Sequence, residues 1–305
     1  MPDSGVIDER FLSACRRLRL GALGLRPLPR KAEAPAPMEG LGLDYRDHRP
    51  YVTGDDPRRI DWPLYQRSGR LFIRLYDESH QLGVLILLDC SASMGFEASP
   101  RLLAGQQAAV AIAAAGLEEL NRVHVQPFAD GRLLGAPVAA NSRARLSDLA
   151  HSVSGWRAKQ GAQTRLSPVF DAVRRAGHPR LLMVVISDFF DPAGVDDWVP
   201  AIKETGHLPA LIQLTRASDR DPGVEGSVEV EDCETAERLY VHASAVMMRA
   251  YRDAYGRFDR SMQAAARAVM GRRITLDADR SVLTQLGRLA GPGRLQFGAV
   301  AAGVR

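Results

Sequence analysis

A carboxylate followed by two alternate hydroxyls is the feature of this 305-residue chain with the clearest chemical meaning. In LLDCSASMG, an apolar segment ends at Asp89, and Ser91 and Ser93 follow at alternate positions. This spacing lets both hydroxyls of one tight turn point in the same direction. One carboxylate and two hydroxyls provide half of an all-oxygen ligand shell, which suits a hard cation such as Mg²⁺.

Two later residues could complete this shell. Thr164 comes just before a predicted helix in KQGAQT, and Asp188 directly follows an apolar segment in VVISDFF. Ligands of open α/β sheets bind outside the carboxyl ends of the strands. We therefore predict one divalent metal ion, Mg²⁺ with Mn²⁺ or Ca²⁺ as alternatives, bound by Asp89, Ser91, Ser93, Thr164 and Asp188.

Each part of this prediction has a simpler alternative. Ser91 or Ser93 could act only as an N-cap that accepts a backbone N–H at a helix start. Thr164 could cap the helix that follows it. Asp191 lies close to Asp188 in sequence, and we prefer Asp188 because it lies directly at the predicted strand end.

The order of apolar segments predicts the scaffold for these residues. Continuous apolar runs at 82–88 and 181–186 are typical of strands that are covered on both faces. Further strands are predicted at 122–128, 209–214 and 132–139, the last short and antiparallel at an edge. Predicted helices at 101–120, 142–153, 166–176 and 196–205 alternate with them. This alternation indicates an α/β fold with a doubly wound, mostly parallel, Rossmann-like sheet.

Four regions are expected along the chain. They are an N-terminal helix and Pro-rich linker (1–40), an ordered polar platform (41–80), the α/β core (81–225), and a C-terminal extension of the same domain (226–305). The extension contains a predicted hairpin, a long helix at 243–270, and a last strand and helix. The N-terminal helix at 7–20 is basic and amphipathic, so it could contact a membrane, but packing on the core is preferred.

The spacing Asp89-x-Ser91-x-Ser93, with the later threonine and aspartate, resembles the metal-ion-dependent adhesion site of von Willebrand factor A domains. This resemblance implies a von Willebrand factor A-like core. It also implies that Ser91 and Ser93 bind the metal directly, that Thr164 binds in some states, and that Asp89 and Asp188 act through water. One coordination position would then remain for an acidic residue of a partner protein.

A longer pattern resembles the bacterial domain-of-unknown-function family 58. It consists of RPYVTGDDPRRIDW at 49–62, followed by LLDCSASM and ISDFFD. Members of that family often occur beside a MoxR-type AAA+ ATPase, so the resemblance implies such an ATPase as partner. Within this block, we expect an ion-pair network that fixes the platform, or alternatively a partner-binding surface, at Asp55, Asp56, Arg58, Arg59 and Asp61.

Composition excludes several classes of function. With 46% hydrophobic and 25% charged residues the chain is globular, and its net charge of +4 without a basic block gives no reason to expect nucleic acid. Three cysteines without a CxxC pair, no signal peptide and no membrane-length apolar run predict a cytoplasmic location. The seven histidines lack metal-ligand spacing, so zinc is not expected.

Together these features predict a metal-dependent protein-binding module, a partner or adaptor of a MoxR-type AAA+ ATPase in protein remodelling or maturation, and not an enzyme. The alternative is a metal-dependent hydrolase of phosphoesterase type. Against it, hydroxyls stand where such a site needs a second carboxylate for acid–base work. A third possibility is a structural protein whose site is vestigial.

Overall fold

The protein is described by a computed structural model that covers residues 7–25, 44–52, 60–77, 83–96, 101–119 and 122–289. The chain divides into two compact units. The larger unit combines Met1–Pro27 with Leu82–Arg305, and the smaller unit is Leu28–Gln81. Most of the predicted Pro-rich linker lies outside the described residues, as do four of the five charged residues of the predicted ion-pair network.

The described residues of the smaller unit form an antiparallel pair of strands and one helix. Strand β1 (Asp44–Pro50) pairs with β2 (Phe72–Asp77), and α2 (Trp62–Ser68) lies between them in sequence. The Asp61 carboxylate caps this helix by accepting a hydrogen bond from the backbone N of Leu64 at 3.0 Å. The alternation in RLFIRLY predicted β2, whereas β1 was not predicted because its sequence, DYRDHRP, has no apolar alternation.

Seven described strands of the larger unit form its main sheet. They are β3 (Val84–Asp89), β4 (Val123–Ala129), β5 (Arg132–Leu133), β6 (Val138–Ala140), β7 (Leu182–Ser187), β8 (Leu208–Thr215) and β11 (Arg272–Asp277). Strands β9 (Gly226–Glu231) and β10 (Arg238–Ala243) form a separate antiparallel hairpin.

The helices of the larger unit lie mostly between these strands in sequence. They are α1 (Glu9–Cys15), α3 (Ala92–Gly95), α4 (Arg101–Glu118), α5 (Leu146–Ser154), α6 (Ser167–Arg175), α7 (Val195–Glu204), α8 (Ala217–Arg220), α9 (Ala245–Ala268) and α10 (Val282–Leu289). Within the described ranges, no helix combines the length and the apolar character that crossing a membrane requires.

The strand order of the main sheet is β11-β8-β7-β3-β4-β5, and β6 also pairs with β4. The pairs β3–β4, β3–β7, β7–β8 and β8–β11 are parallel, while β5 and β6 run antiparallel to β4. The predicted mixed α/β fold with a mostly parallel sheet is therefore confirmed. The predicted edge strand at 132–139 is interrupted by Gly135 (φ +63°) and Pro137, so it forms two short strands.

Both faces of the sheet are covered by helices. In β3, Val84, Ile86 and Leu88 belong to the apolar cluster that contains α4, whereas Leu85 and Leu87 belong to the cluster that contains residues of α6, α7 and α9. Because side chains alternate between the faces of a strand, a strand buried on both faces has a continuous apolar sequence.

The chain leaves β3 towards β4 on one side and later returns to β7 on the other side of β3. Chain direction across the sheet therefore reverses between β3 and β7. In open α/β sheets, this position opens a crevice at the carboxyl ends of the strands where ligands bind.

The terminal helices only partly follow their predicted patterns. The N-terminal helix ends at Cys15, earlier than predicted, and Phe11 and Cys15 are buried in the cluster that contains α4. In α9 the apolar stripe is buried at its C-terminal half, for example at Met262. Its N-terminal half is not: Met247 is 41% and Tyr251 42% exposed.

We predict that Gly95→Ala destabilises the fold. A Cβ on Gly95 would lie 2.3 Å from the Cβ of Ala158, so the backbone must shift. Overpacking of this kind lowers the free energy of unfolding by about 1–3 kcal/mol. In the control variant Gly256→Ala, within α9, the new Cβ would meet the flexible Arg260 guanidinium at 3.6 Å. Because alanine favours a helix more than glycine does, the free energy of unfolding of this variant should rise by at most about 1 kcal/mol. Denaturant unfolding measures the stability of both variants, and equal free energies of unfolding would contradict the close packing of Gly95 against Ala158.

Candidate metal centre

The first loop of the candidate site follows β3. Asp89 is its last residue, and its Oδ1 accepts a hydrogen bond from the backbone N of Ser91 at 2.8 Å. The hydroxyl oxygens of Ser91 and Ser93 lie 3.1 Å apart. Ser91 directly precedes α3 but makes no side-chain capping hydrogen bond. The two hydroxyls therefore face one another and do not serve as an N-cap of this helix.

The second loop precedes α6 and carries Thr164. The hydroxyl oxygens of Thr164 and Ser91 lie 2.9 Å apart, within hydrogen-bond distance. The two loops are joined through their backbones as well, since the Lys159 N donates to the Cys90 carbonyl at 2.8 Å. Helix α6 has no side-chain cap, so Thr164 is not a helix cap.

The third loop follows β7 and carries Asp188. Its Oδ1 accepts a hydrogen bond from the backbone N of Phe190 at 3.2 Å, and the Ser93 hydroxyl also bonds this carboxylate. The Asp191 carboxylate instead accepts a hydrogen bond from the backbone N of Leu166 at 2.8 Å. Asp188 is thus the aspartate that meets the serine hydroxyls.

The five predicted residues lie together beside the reversal in strand order. All of them are buried: the exposed fraction is 7% for Ser93 and 0% for Asp89, Ser91, Thr164 and Asp188. The Oδ2 of Asp188 is itself buried and accepts no hydrogen bond from any residue that the structure describes. A buried carboxylate oxygen without a partner is costly, so it marks a place where a cation would be stabilising.

The two aspartates raise one another's energy when both are charged. Burial and the nearby Asp188 raise the pKa of Asp89 to about 7, although hydrogen bonds from Ser187 and Ser91 favour its charged form. Burial also raises the pKa of Asp188, against the opposing effect of the Arg101 guanidinium. Like charges close together disfavour ionisation, and a cation near both would favour it.

Sequence reasoning missed two supports of the site. Ser187 donates a hydrogen bond from its hydroxyl to Asp89 Oδ2 at 2.6 Å and so fixes that carboxylate. Arg101 forms an ion pair with Asp219 and donates to the Ser93 carbonyl at 3.3 Å. Ser187 had a signal, because it directly follows the predicted buried strand at 181–186, and a buried polar residue there needs a partner.

A third missed residue is Glu234, in the turn of the β9–β10 hairpin. Its Oε1 accepts hydrogen bonds from the Thr164 hydroxyl at 3.1 Å and from the Thr164 backbone N at 3.2 Å. Burial raises the pKa of Glu234, and the charges of Asp188 and Asp232 raise it further. Glu234 lies 70 positions from Thr164 and belongs to no motif, so it could not be predicted as part of the site.

The donor set fits a hard divalent cation. In the described part of the chain, no three side chains of the His, Cys, Asp and Glu types are grouped to hold a metal, so a site here depends on hydroxyl ligands. Hydroxyl and carboxylate oxygens suit Mg²⁺, Mn²⁺ or Ca²⁺, whereas zinc sites use nitrogen and sulfur as well.

Fold and site together define a mixed α/β protein with polar side chains converging at the carboxyl edge of a mostly parallel sheet. The chain belongs to the protein family of unknown function DUF58, which matches residues 47–265. Uncharacterised proteins of Mycobacterium tuberculosis and Mycobacterium bovis are 25% identical to it over 205 residues. That similarity covers 64% of this chain and 62% of the length of those relatives.

Two solved structures are similar in outline. The conserved hypothetical protein BatB of Bacteroides thetaiotaomicron is 14% identical with a TM-score of 0.42. An aerotolerance-related membrane protein of Bacteroides fragilis is 17% identical with a TM-score of 0.41. In each case the similarity covers 68% of this chain and 98% of the other.

We predict that, in the presence of a chelator, the Asp89→Asn variant becomes more stable relative to wild type as the pH rises. The pKa of Asp89 is raised from 3.8 to about 7, so between these values the folded state keeps a proton that the unfolded chain has lost. Wild type therefore loses stability as pH rises through this window, whereas asparagine stays neutral.

Denaturant unfolding at several pH values between 4 and 8 measures this difference. Asp253→Asn, on an exposed part of α9, is the matched control for the replacement of one carboxylate by an amide. A pH-independent difference for Asp89→Asn would show that Asp89 is not held neutral in the metal-free fold.

Proposed function

We propose that this chain is a metal-dependent protein-binding module with a von Willebrand factor A-like core. It would bind one divalent cation, Mg²⁺ or else Mn²⁺ or Ca²⁺, through Asp89, Ser91, Ser93, Thr164 and Asp188. The observation that carries the proposal is the buried Oδ2 of Asp188, which has no hydrogen-bond partner among the described residues, beside three hydroxyls that contact one another. A cation would relieve the burial cost of both carboxylates.

The residues of the site have distinct proposed roles. Ser91 and Ser93 would bind the cation directly, Thr164 would bind it in some states, and Asp89 and Asp188 would balance its charge and orient bound water. Once bound, the cation would supply a Lewis-acid position that an acidic side chain of a partner protein can occupy.

The proposed partner is a MoxR-type AAA+ ATPase, and the proposed role is recruitment of proteins for remodelling or maturation. This rests on the resemblance of residues 49–62 and of both strand-end motifs to the family, and membership of the family supports it. The proposed location, the cytoplasm, and the expectation that nucleic acid is not bound rest on features of the sequence alone.

A metal-dependent hydrolase is the second candidate, because the fold contains a feature that was not predicted from the sequence. Glu234 places a third carboxylate at the site, with a pKa raised by burial, and such a group can act as a general base. Hydrolysis of p-nitrophenyl phosphate that requires Mn²⁺, Asp89 and Glu234 would favour this candidate over the binding module.

We predict that Mg²⁺ and Mn²⁺ stabilise the native protein through this site. A ligand that binds only the folded state adds about 2.7 kcal/mol at a concentration 100-fold above its Kd, which raises the melting temperature. Asp89→Ala and Ser93→Ala should abolish the metal-dependent rise. Ser167→Ala, three residues beyond Thr164 at the start of α6, should keep it. An equal rise in wild type and Asp89→Ala would remove the proposed site.

We also predict that binding to the MoxR-type ATPase of the same organism requires the metal. Affinity measured with the two purified proteins should be lost on addition of a chelator and restored by excess Mg²⁺. Asp89→Ala should bind no better than the chelated wild type, while Ser167→Ala should bind normally. Binding that persists in the presence of the chelator would show that the partner uses another surface.

A further inference from the structure

The β9–β10 hairpin presents Glu234 from a well-defined turn. The Asp232 carboxylate accepts hydrogen bonds from the backbone N of Glu234 at 2.7 Å and of Thr235 at 3.1 Å. Ala236 takes a left-handed conformation (φ +59°), and its N donates to the Asp232 carbonyl at 2.8 Å. These bonds hold the backbone of the turn at Glu234 in a defined conformation.

This turn contacts the loop that carries Thr164. Both the hydroxyl and the backbone N of Thr164 donate to Glu234 Oε1, and a Cβ built on Gly161 would lie 3.9 Å from the Glu234 carbonyl. Glu234 is also close enough to Asp188 for the two charges to interact. A carboxylate of the chain itself thus lies beside a proposed metal ligand and near Asp188, whose Oδ2 has no partner in the part of the chain that the structure describes.

The strands that carry this turn are weakly buried. Val230 and Leu239 form a cross-strand pair, yet they are 50% and 63% exposed. Strand β9 begins at Gly226 (φ +78°), where an added Cβ would meet nothing within 4 Å. Two-stranded hairpins are marginally stable alone, so this one can move at low cost when its tip is released.

We propose that Glu234 is an internal carboxylate ligand that occupies the coordination position which the proposed function leaves to a partner. The hairpin must then move aside before an acidic side chain of the partner can bind. This inference rests on the proposed metal centre. Exchange of one carboxylate for another leaves the charge of the centre unchanged, so hairpin and partner compete for one position.

The test uses Mn²⁺ alone as the probe, with the full chain. Water-proton relaxation measures the number of exchangeable waters on the bound ion, and its titration gives the Kd. In Glu234→Ala, one more water should contribute to the relaxation by the bound ion. The Kd of this variant for Mn²⁺ should rise by about 10-fold, which is the lower end of the losses of metal affinity found for residues that support metal ligands. Glu237→Ala, with the same charge change in the same hairpin turn, should match wild type.

The outcomes separate this inference from the proposed function. If Asp89→Ala abolishes Mn²⁺ binding while Glu234→Ala and Glu237→Ala give the same relaxation and Kd, the metal centre stands and the internal ligand is refuted. If wild type binds no Mn²⁺ through Asp89, both proposals fail.

A measurement without metal tests the contact itself. The Thr164 amide donates to Glu234, so in the presence of a chelator its hydrogen exchange should be faster in Glu234→Ala than in Glu237→Ala. Equal exchange rates would show that the hairpin turn does not rest on this loop in solution, which would overturn the inference.

Discussion

The pair of buried aspartates at the ends of β3 and β7 is the constraint on which the site depends. Two carboxylates without solvent repel each other, and burial alone already disfavours their charged forms. The protein surrounds Asp89 with donors from Ser187 and Ser91, but it leaves one oxygen of Asp188 without a partner among the described residues. A divalent cation held by the neighbouring hydroxyls would resolve this conflict.

The topology of the sheet explains why these groups meet. Strands β3 and β7 are neighbours in the sheet although their residues are about a hundred positions apart, and chain direction reverses between them. The loops after both strands therefore open at the same edge. The loop of Thr164 is joined to the first of them by backbone hydrogen bonds and to the second by the bond from the Leu166 N to the Asp191 carboxylate. The hairpin adds Glu234 to this edge, so the C-terminal extension contributes to the site as well as to packing.

The fold was largely predictable because continuous apolar runs, such as 82–88, are typical of strands that helices cover on both faces. The five site residues could be predicted for the same reason, since each lies next to a strand end or a helix start. Glu234 was not, because a turn of a polar hairpin has no periodic signal and its contact is non-local. The exposed first half of α9 was missed because an apolar stripe does not reveal which of its turns find a partner.

The most direct test is a crystal structure of the protein grown with Mn²⁺, with anomalous differences measured for the ion. The account predicts one strong peak that lies about 2.1 Å from the hydroxyl oxygens of both Ser91 and Ser93, a distance typical of small divalent cations, beside Asp188. A peak at any other place, with the hydroxyl oxygens of Ser91, Ser93 and Thr164 still within hydrogen-bond distance of one another and no ion between them, would contradict it.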